Sequence, residues 1–427
     1  MFASRNLSGM YREFRHRSWG PSRLSERASL LTGTSSSRNL RSSWAPWLTT
    51  IGSTIASTFS NNPVGSILFI FVPLGLMAPS LTWSASAIFS LNFLSLASLD
   101  QIFSYVLMEL SNPVEGLLQD LVLGSISELS FLIITALALG RYGAPMVQAM
   151  IFGSIIFQNL AVLGCGLMAS GARYHERSLD RRWETWMSLI TMTLIFPSWL
   201  SVAISSRGSS VQSSESELKI FSRAAAPVLL TLYLVFILFQ SRTHADHFIV
   251  GGPAEEVEPD TEREATIIPH WSSLLVTAVL ATAFMGMIAI SAKHLVDSLG
   301  PLSDNTGISK SFISYILLPL LFNMRSLSLV LVAWKGLPEL LIISSISSMI
   351  YTLLLGYPLL VIIGWIRNVD VTFHSSPFGV LTASITCLIE TGLVLSGSVT
   401  YLPGVFCVAG YALFVLALAL HADPSVD

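Results

Sequence analysis

Residues 145–169 read PMVQAMIFGSIIFQNLAVLGCGLMA, a stretch without a single charged side chain. It is longer than the roughly 20 apolar residues that an α-helix needs to cross the hydrocarbon core of a bilayer. Gly153 and Ser154 lie near its centre, and small residues in that position let one membrane helix pack closely against another. The stretch therefore predicts a membrane-spanning helix inside a bundle of other helices.

The composition of the 427-residue chain supports the same class of protein. Hydrophobic residues make up 52% of the chain and charged residues only 11%, whereas soluble domains contain about 25% charged residues. These values exclude a soluble domain or a disordered chain, and a net charge of −3 gives no general attraction to nucleic acid. The three cysteines lie far apart, which excludes a disulfide framework and a CxxC metal site.

Further apolar stretches of similar length lie on both sides of this segment. With it they form a series at 62–83, 86–110, 117–140, 145–169, 185–206, 222–241, 271–292, 310–334, 338–366, 377–396 and 400–421. Each must form a helix, because backbone groups in hydrocarbon have no water to bond. The sequence therefore predicts an all-α polytopic membrane protein with about eleven transmembrane helices.

The first 60 residues differ from the rest of the chain. They are rich in serine and carry eight arginines against two acidic residues. This charge favours a disordered tail on the cytoplasmic side. Glu26, Leu30 and Leu31 form a pattern that resembles the acidic dileucine signals read by sorting adaptors, so an adaptor is a candidate partner.

An acidic linker at 242–269 separates six predicted helices from five. We expect it to be a solvated cytoplasmic loop, because a run of charges is usually solvated. The linker divides the chain into a first transmembrane half at 61–241 and a second at 270–427. Arginines in the connection that follows residue 169 place that connection on the cytoplasmic side as well.

Ionisable residues inside membrane helices are costly and are functional candidates by default. Glu128 lies in the middle of the third predicted helix, and Ser125 precedes it by about one turn. A carboxylate beside hydroxyl groups suits a hard cation or a competing proton. The alternative is a structural glutamate that is protonated or hydrogen-bonded inside the bundle. Asp100, in the second helix, is a further buried candidate.

The second half has a counterpart to this segment in 310–334. Asn323, Arg325 and Ser326 follow Pro319, which interrupts the helical hydrogen bonds. An arginine in hydrocarbon needs a partner. We expect Glu128 to be that partner, within about 8 Å, because inverted-repeat transporters bring their broken helices together at the midplane.

Several fragments in fixed order resemble the vacuolar calcium/proton exchangers of the sodium/calcium exchanger superfamily. The matching stretches are 103–110, 124–130, 148–164 (QAMIFGSIIFQNLAVLG), 170–176, 239–244, 295–298 (LVDS), 307–313 (GISKSFI) and 317–319. The resemblance covers about residues 60–421. It implies two inverted repeats of five helices plus one N-terminal helix.

The resemblance also implies a cation site formed by Glu128, Ser125, Asn323 and Ser326. The family has a glutamate in each repeat, and only Glu128 is retained here. The second family glutamate falls on Ser326, the histidine that follows falls on Leu327, and Arg325 adds a positive charge beside it. Because ligand charge largely sets calcium affinity, these two changes weaken divalent binding.

Two hypotheses follow from these features. The first is a cation/proton antiporter in the vacuolar membrane that exchanges calcium or another cation for protons by alternating access. It needs no bound cofactor and is not an enzyme, since no nucleotide loop, nucleophile elbow or metalloprotease motif is present. The second is a non-transporting or ion-altered relative that acts as a regulatory or scaffolding membrane protein, which the changes at Arg325 and Ser326 favour.

Overall fold

A computed structural model describes most of the two predicted membrane halves. The described residues are 63–111, 128–178, 189–191, 193–207, 211–243, 271–336 and 338–420, with single residues at 56, 58–60, 187 and 426. The sorting pattern at Glu26, Leu30 and Leu31, nearly all of the tail and linker, and Ser125 lie outside the described residues.

Helices form nearly all of the described chain. They are α1 (Pro63–Leu68), α2 (Phe71–Met77), α3 (Ala85–Ser111), α4 (Leu129–Tyr142), α5 (Ala144–Ile156), α6 (Leu163–Tyr174), α7 (Phe196–Arg207), α8 (Val211–Leu238), α9 (Trp271–Thr306), α10 (Lys310–Phe312), α11 (Leu318–Phe322), α12 (Met324–Ser328), α13 (Val330–Trp334), α14 (Pro338–Tyr351), α15 (Tyr357–Ile366), α16 (Pro377–Ser396) and α17 (Tyr401–Leu420). Four π-helical segments continue or join these helices at Phe157–Val162, Phe239–Thr243, Ile313–Leu317 and Thr352–Gly356.

Within the described ranges, eight helices are long and apolar enough to cross a membrane. They are Ala85–Leu107, Ala144–Tyr174, Leu189–Ser206, Glu215–Thr243, Leu275–Thr306, Pro338–Ile366, Pro377–Ser396 and Tyr401–Leu420. A ninth candidate consists of Lys310–Phe322 and Met324–Trp334, which meet at a bend of 58°. Two shorter apolar helices cover Val64–Met77 and Leu129–Tyr142. The prediction of a predominantly helical, polytopic membrane protein is confirmed.

Three details differ from the sequence prediction. Helix α8 begins at Val211 and not at 222, and α9 continues to Thr306 and not to 292. Both extensions are more polar than the apolar stretches, so hydropathy alone places the start of α8 too late and the end of α9 too early. The structure is also not entirely helical, because strands β1 (Glu176–Ser178) and β2 (Ser398–Thr400) pair antiparallel.

This short ladder brings connections from both halves to one face of the bundle. Arg177 lies opposite Val399 in the register. On the same face, the Tyr174 hydroxyl donates to the carbonyl oxygen of Lys335 at 3.0 Å. The loops that follow α6, α13 and α16 therefore lie together.

The opposite face is held by a different set of contacts. The Gln148 side-chain amide donates to the Thr372 carbonyl oxygen at 2.8 Å. Arg367 donates to the carbonyl oxygen of Ala136 at 3.2 Å, near the end of α4. Lys219 and Asp370 form an ion pair of 2.7 Å. The loop between α15 and α16 thus contacts α4, α5 and α8 on one side of the bundle.

The two halves cross where Gly153 of α5 meets the π-helical segment Ile313–Leu317. A Cβ atom on Gly153 would lie 2.6 Å from the Tyr315 carbonyl oxygen and 2.8 Å from Cγ of Pro319. Real Cβ atoms do not approach other atoms this closely, so the crossing requires glycine. Gly153 therefore sets the distance between the two halves at their centre.

Helix α9 contains a side-chain insertion from α4 near its C-terminal end. The Tyr142 hydroxyl donates to the Val296 carbonyl oxygen at 3.0 Å and accepts from the Gly300 backbone N–H at 2.8 Å. These two backbone groups are four residues apart and would otherwise bond each other. The inserted hydroxyl satisfies both groups immediately before Pro301, which itself has no N–H.

Replacing Tyr142 with Phe tests this insertion. The Phe ring still separates the Gly300 N–H from the Val296 carbonyl but offers neither group a hydrogen bond, so we expect a loss of about 1–3 kcal/mol of stability. The measurement is the midpoint of thermal unfolding in detergent. Tyr401→Phe, at an exposed tyrosine, is the matched control and should leave the midpoint unchanged. Equal midpoints for the two variants would contradict the prediction.

Gly153→Ala tests the crossing between the halves. The added methyl group has to displace backbone atoms of Tyr315, and such overpacking costs about 1–3 kcal/mol. We expect a lower midpoint of thermal unfolding and a lower yield of monodisperse protein. Gly392→Ala is the control, because a Cβ atom there meets nothing within 4 Å. A Gly153→Ala protein as stable as the control would show that the halves separate without cost.

Candidate functional site

A cavity of about 160 Å³ lies at the junction of the two halves. It is lined by side chains from α3, α4, α5, α11, α12 and α14 and from the breaks between them. The lining residues are Leu96, Asp100, Glu128, Ser130, Phe131, Ile134, Ser154, Leu321, Phe322, Asn323, Arg325, Ser326, Ser344, Ser347, Ser348, Tyr351 and Thr352. Both halves of the chain therefore contribute polar groups to one space.

Glu128 directly precedes α4 and is 9% exposed. Its Oε2 atom accepts a hydrogen bond of 3.4 Å from the Thr352 hydroxyl. Thr352 is the first residue of a π-helical segment in the second half. This bond is longer than the usual range for a hydroxyl donor and is therefore weak, so the carboxylate keeps most of its capacity to bind another group. A buried carboxylate in this setting is a strong candidate to bind a cation or a proton.

Asn323 lies at the 58° bend between α11 and α12. Its Nδ2 atom donates to the Pro319 carbonyl oxygen and to Oγ of Ser154, each at 2.8 Å. The Pro319 carbonyl also accepts the Asn323 backbone N–H at 3.1 Å, so the first side-chain bond reinforces the last turn of α11. The second bond connects the bend to the first half. Asn323 therefore fixes the side of the cavity that faces Ser154.

Hydroxyl groups form much of the remaining cavity wall. Ser326 is 8% exposed and faces the cavity beside Asn323. Ser344, Ser347 and Ser348 share one face of α14, in agreement with the helical period. Oγ of Ser130 is buried and has no hydrogen-bond partner in the described structure. Together with a carboxylate, such oxygen atoms are the ligand type that hard cations prefer.

The structure brings together three of the four residues that the sequence predicts for a cation site. Glu128, Asn323 and Ser326 line the same cavity, whereas Ser125 lies outside the described residues. Their role as cation ligands stays a prediction. No cluster of three or more His, Cys, Asp or Glu side chains occurs within the described ranges. A cation here would therefore depend on hydroxyl, amide and backbone oxygens as well as on carboxylates.

Glu128 and Arg325 line the same cavity, in agreement with their expected proximity, but Glu128 is not the ion-pair partner of Arg325. Arg325 instead pairs with Asp100, with 3.1 Å between the guanidinium Nη2 and Oδ2. Asp100 lies on α3, which packs beside the bend and presents its carboxylate to Arg325, while Thr352 bonds Glu128. Sequence reasoning marked Asp100 as a candidate, but spacing along the chain does not reveal which neighbouring helix an arginine meets.

Sequence reasoning missed the serine wall and Thr352. The available signal was the recurrence of serine at 344, 347 and 348, which places hydroxyls on one helical face of an otherwise apolar segment. Thr352 gives no comparable signal, because its position depends on the π-helical turn Thr352–Gly356. Such turns are rare and occur often at functional sites.

Comparison with known proteins gives related sequences along both halves. The family model described as sodium/calcium exchanger protein matches residues 68–242 and 276–420. The vacuolar calcium ion transporter of Schizosaccharomyces pombe is 29% identical over 360 residues, covering 82% of this chain and 84% of that protein. The vacuolar cation/proton exchanger 1 of Arabidopsis thaliana is 27% identical over 371 residues, covering 84% of this chain and 77% of that protein.

Solved structures share the fold. Native YfkE superposes with a TM-score of 0.65 at 17% identity, covering 83% of this chain and all of that one. The H⁺/Ca²⁺ exchanger CAX superposes with a TM-score of 0.58 at 14% identity, covering 88% of this chain and 90% of that one. The resemblance in the sequence motifs is thus confirmed by the match to the family across both halves. The chain belongs to the sodium/calcium exchanger protein family.

Proposed function

We propose that this protein is a cation/proton antiporter that moves calcium into the vacuole in exchange for protons by alternating access. Relatives named as vacuolar calcium transporters and as Ca²⁺/H⁺ antiporters support this activity. They also support a location in the vacuolar membrane. The proposal includes no bound cofactor and no enzymatic activity, since cation and protons are the transported substrates.

The observation that carries the proposal is the shared cavity at the crossing of the halves. Glu128 comes from the first half, and Asn323 and Ser326 come from the second. A movement of one half against the other changes which side of the membrane reaches this cavity. Because the same carboxylate binds either a cation or a proton, the two substrates exchange there.

The proposed ligand set is Glu128, Ser125, Asn323 and Ser326. With one carboxylate among hydroxyl and amide oxygens, the set binds calcium more weakly than a site with two family glutamates. Weak binding is compatible with transport, because a transported ion has to be released. The alternative, a non-transporting relative, is less favoured because the polar cavity between the halves is retained.

We further propose eleven membrane crossings, in two inverted repeats of five helices after one N-terminal helix. The eight long helices, the bent pair and the two shorter apolar helices match the eleven apolar stretches of the sequence in order. The contacts of the loops support this topology. The β1–β2 ladder and the Tyr174–Lys335 bond join the connections that follow the fourth, eighth and tenth crossings. With a cytoplasmic N-terminus, an even number of crossings places all three on the cytoplasmic side.

The division of the chain belongs to the same proposal. The halves are 61–241 and 270–427, with the tail at 1–60 and the acidic linker at 242–269 on the cytoplasmic side. The family match supports the division, since it is interrupted between residues 242 and 276. The sorting role of Glu26, Leu30 and Leu31 stays a prediction.

Glu128→Gln tests the function. Gln keeps the size of the side chain and one oxygen but carries no charge and exchanges no proton. We expect proton-driven uptake of radioactive calcium to fall by about tenfold or more, equivalent to about 1.4 kcal/mol. Uptake is measured into sealed vesicles that contain this protein and no other exchanger.

The matched control is Asp304→Asn, which removes an exposed carboxylate outside the cavity. Its uptake should equal that of the unmodified protein. Both variants are compared at equal amounts of inserted, monodisperse protein. Uptake that Glu128→Gln leaves unchanged would place the cation site elsewhere, and absence of uptake in the unmodified protein would contradict calcium/proton exchange itself.

A further inference from the structure

The ion pair between Asp100 and Arg325 forms part of the cavity wall. Both side chains line the same cavity of about 160 Å³ as Glu128. The two groups of the pair are 3.1 Å apart. The pair therefore lies within the space in which a cation would bind, and its charges act on that space.

The two members of the pair differ in burial. The Asp100 side chain is 14% exposed, whereas the Arg325 side chain is 40% exposed. The carboxylate is therefore fixed inside the bundle on α3, and the longer arginine reaches it from the more open side. An arginine side chain has several rotatable bonds, so it can leave the carboxylate without a change in the backbone.

The formal charges of the cavity depend on this pair. Glu128 and Asp100 each contribute one negative charge, and Arg325 contributes one positive charge, which leaves one net negative charge when all three are ionised. When Arg325 moves away from Asp100, two carboxylates face the cavity. Two carboxylates match the charge of a divalent cation, and ligand charge is a main determinant of calcium affinity.

We propose that Asp100 is the second carboxylate ligand of the cation site and that Arg325 is an internal cation that competes for it. The guanidinium neutralises Asp100 when the cavity is empty, and an incoming divalent cation displaces it. Asp100 thus supplies the charge that is absent at Ser326. This inference rests on the proposed function, because it assigns ligands to the same transported cation.

An unpartnered hydroxyl oxygen supports a ligand in this space. Ser130 lines the cavity, and its buried Oγ has no hydrogen-bond partner in the described structure. Buried polar groups are nearly always bonded, so the unpartnered hydroxyl of a residue that lines the cavity is an available oxygen ligand for a cation.

A purely structural ion pair is the competing explanation. In that case Asp100 only compensates the charge of Arg325, and removing both charges together has no effect on cation binding. If the pair competes for the cation, removing Arg325 alone and removing both residues have opposite effects. The comparison of these two variants therefore separates the explanations.

The test measures equilibrium binding of radioactive calcium to the purified full-length protein in detergent, at fixed pH and ionic strength. The variants are Arg325→Gln and the double variant Asp100→Asn with Arg325→Gln. Lys219→Gln is the matched control, because it removes a cation from an ion pair of 2.7 Å whose members do not line the cavity. Each protein is first checked for monodispersity by size-exclusion chromatography.

We expect Arg325→Gln to bind calcium about tenfold more tightly than the unmodified protein, equivalent to about 1.4 kcal/mol. We expect the double variant to bind at least threefold more weakly than the unmodified protein, since only Glu128 then remains as a carboxylate. Lys219→Gln should bind as the unmodified protein does. If Arg325→Gln alone does not remain monodisperse, the double variant still decides, because it leaves neither member of the pair without its partner.

Two results would overturn the inference. The first is that Arg325→Gln does not raise the calcium affinity, and the second is that the double variant binds calcium as tightly as the unmodified protein does. Glu128→Gln in the same assay separates this failure from that of the proposed function. If Glu128→Gln loses binding and either of these results is found, only the role of Asp100 is refuted and the proposed function stands. Binding that Glu128→Gln leaves intact refutes the cation site and, with it, the inference.

Discussion

The absence of water in the hydrocarbon core is the constraint on which the structure depends. Every backbone group there needs a partner inside the protein, yet the second half contains a 58° bend at Asn323. At the bend, the Pro319 carbonyl accepts both the backbone N–H and the side-chain amide of Asn323, and the same amide donates to the Ser154 hydroxyl. The same side chain thus stabilises the broken helix and joins the two halves. Close approach at Gly153 makes this connection possible.

Much of this architecture was predictable from the sequence, because helices in lipid depend on the length and continuity of apolar segments. The approximate positions of the helices follow from hydropathy, and the convergence of Glu128 with Asn323 and Ser326 follows from the resemblance to the exchanger family. The partner of Arg325 did not follow. The pairing of Arg325 with Asp100 depends on how α3 is rotated and how deep it lies beside the bend. The sequence around Asp100 specifies neither quantity. The insertion of Tyr142 into α9 is likewise a contact between distant segments that local patterns do not encode.

The polar interior of the bundle is built from side chains that are individually unremarkable. The helix propensity of serine is unexceptional, but the spacing of the serines on α14 places several hydroxyls on one face. The π-helical turn at Thr352–Gly356 then adds a hydroxyl directed to Glu128. A wider turn changes the rotation of all residues that follow it relative to those that precede it. The cavity therefore depends on local backbone geometry as much as on residue type.

Helix α9 has a consequence for the depth of the protein in the bilayer. Its 36 residues rise about 54 Å, whereas the hydrocarbon core is about 30 Å thick. The large exposed apolar side chains on α9 include Leu275, Val279 and Ile290, and exposed charges begin at Lys293 and Asp297. These charges place the edge of the hydrocarbon near Lys293, and the turns that follow pack Leu295, Leu299 and Leu302 against the protein on one face and expose charges on the other. A thicker bilayer draws these charged turns towards hydrocarbon, so the protein is matched to membranes of limited thickness.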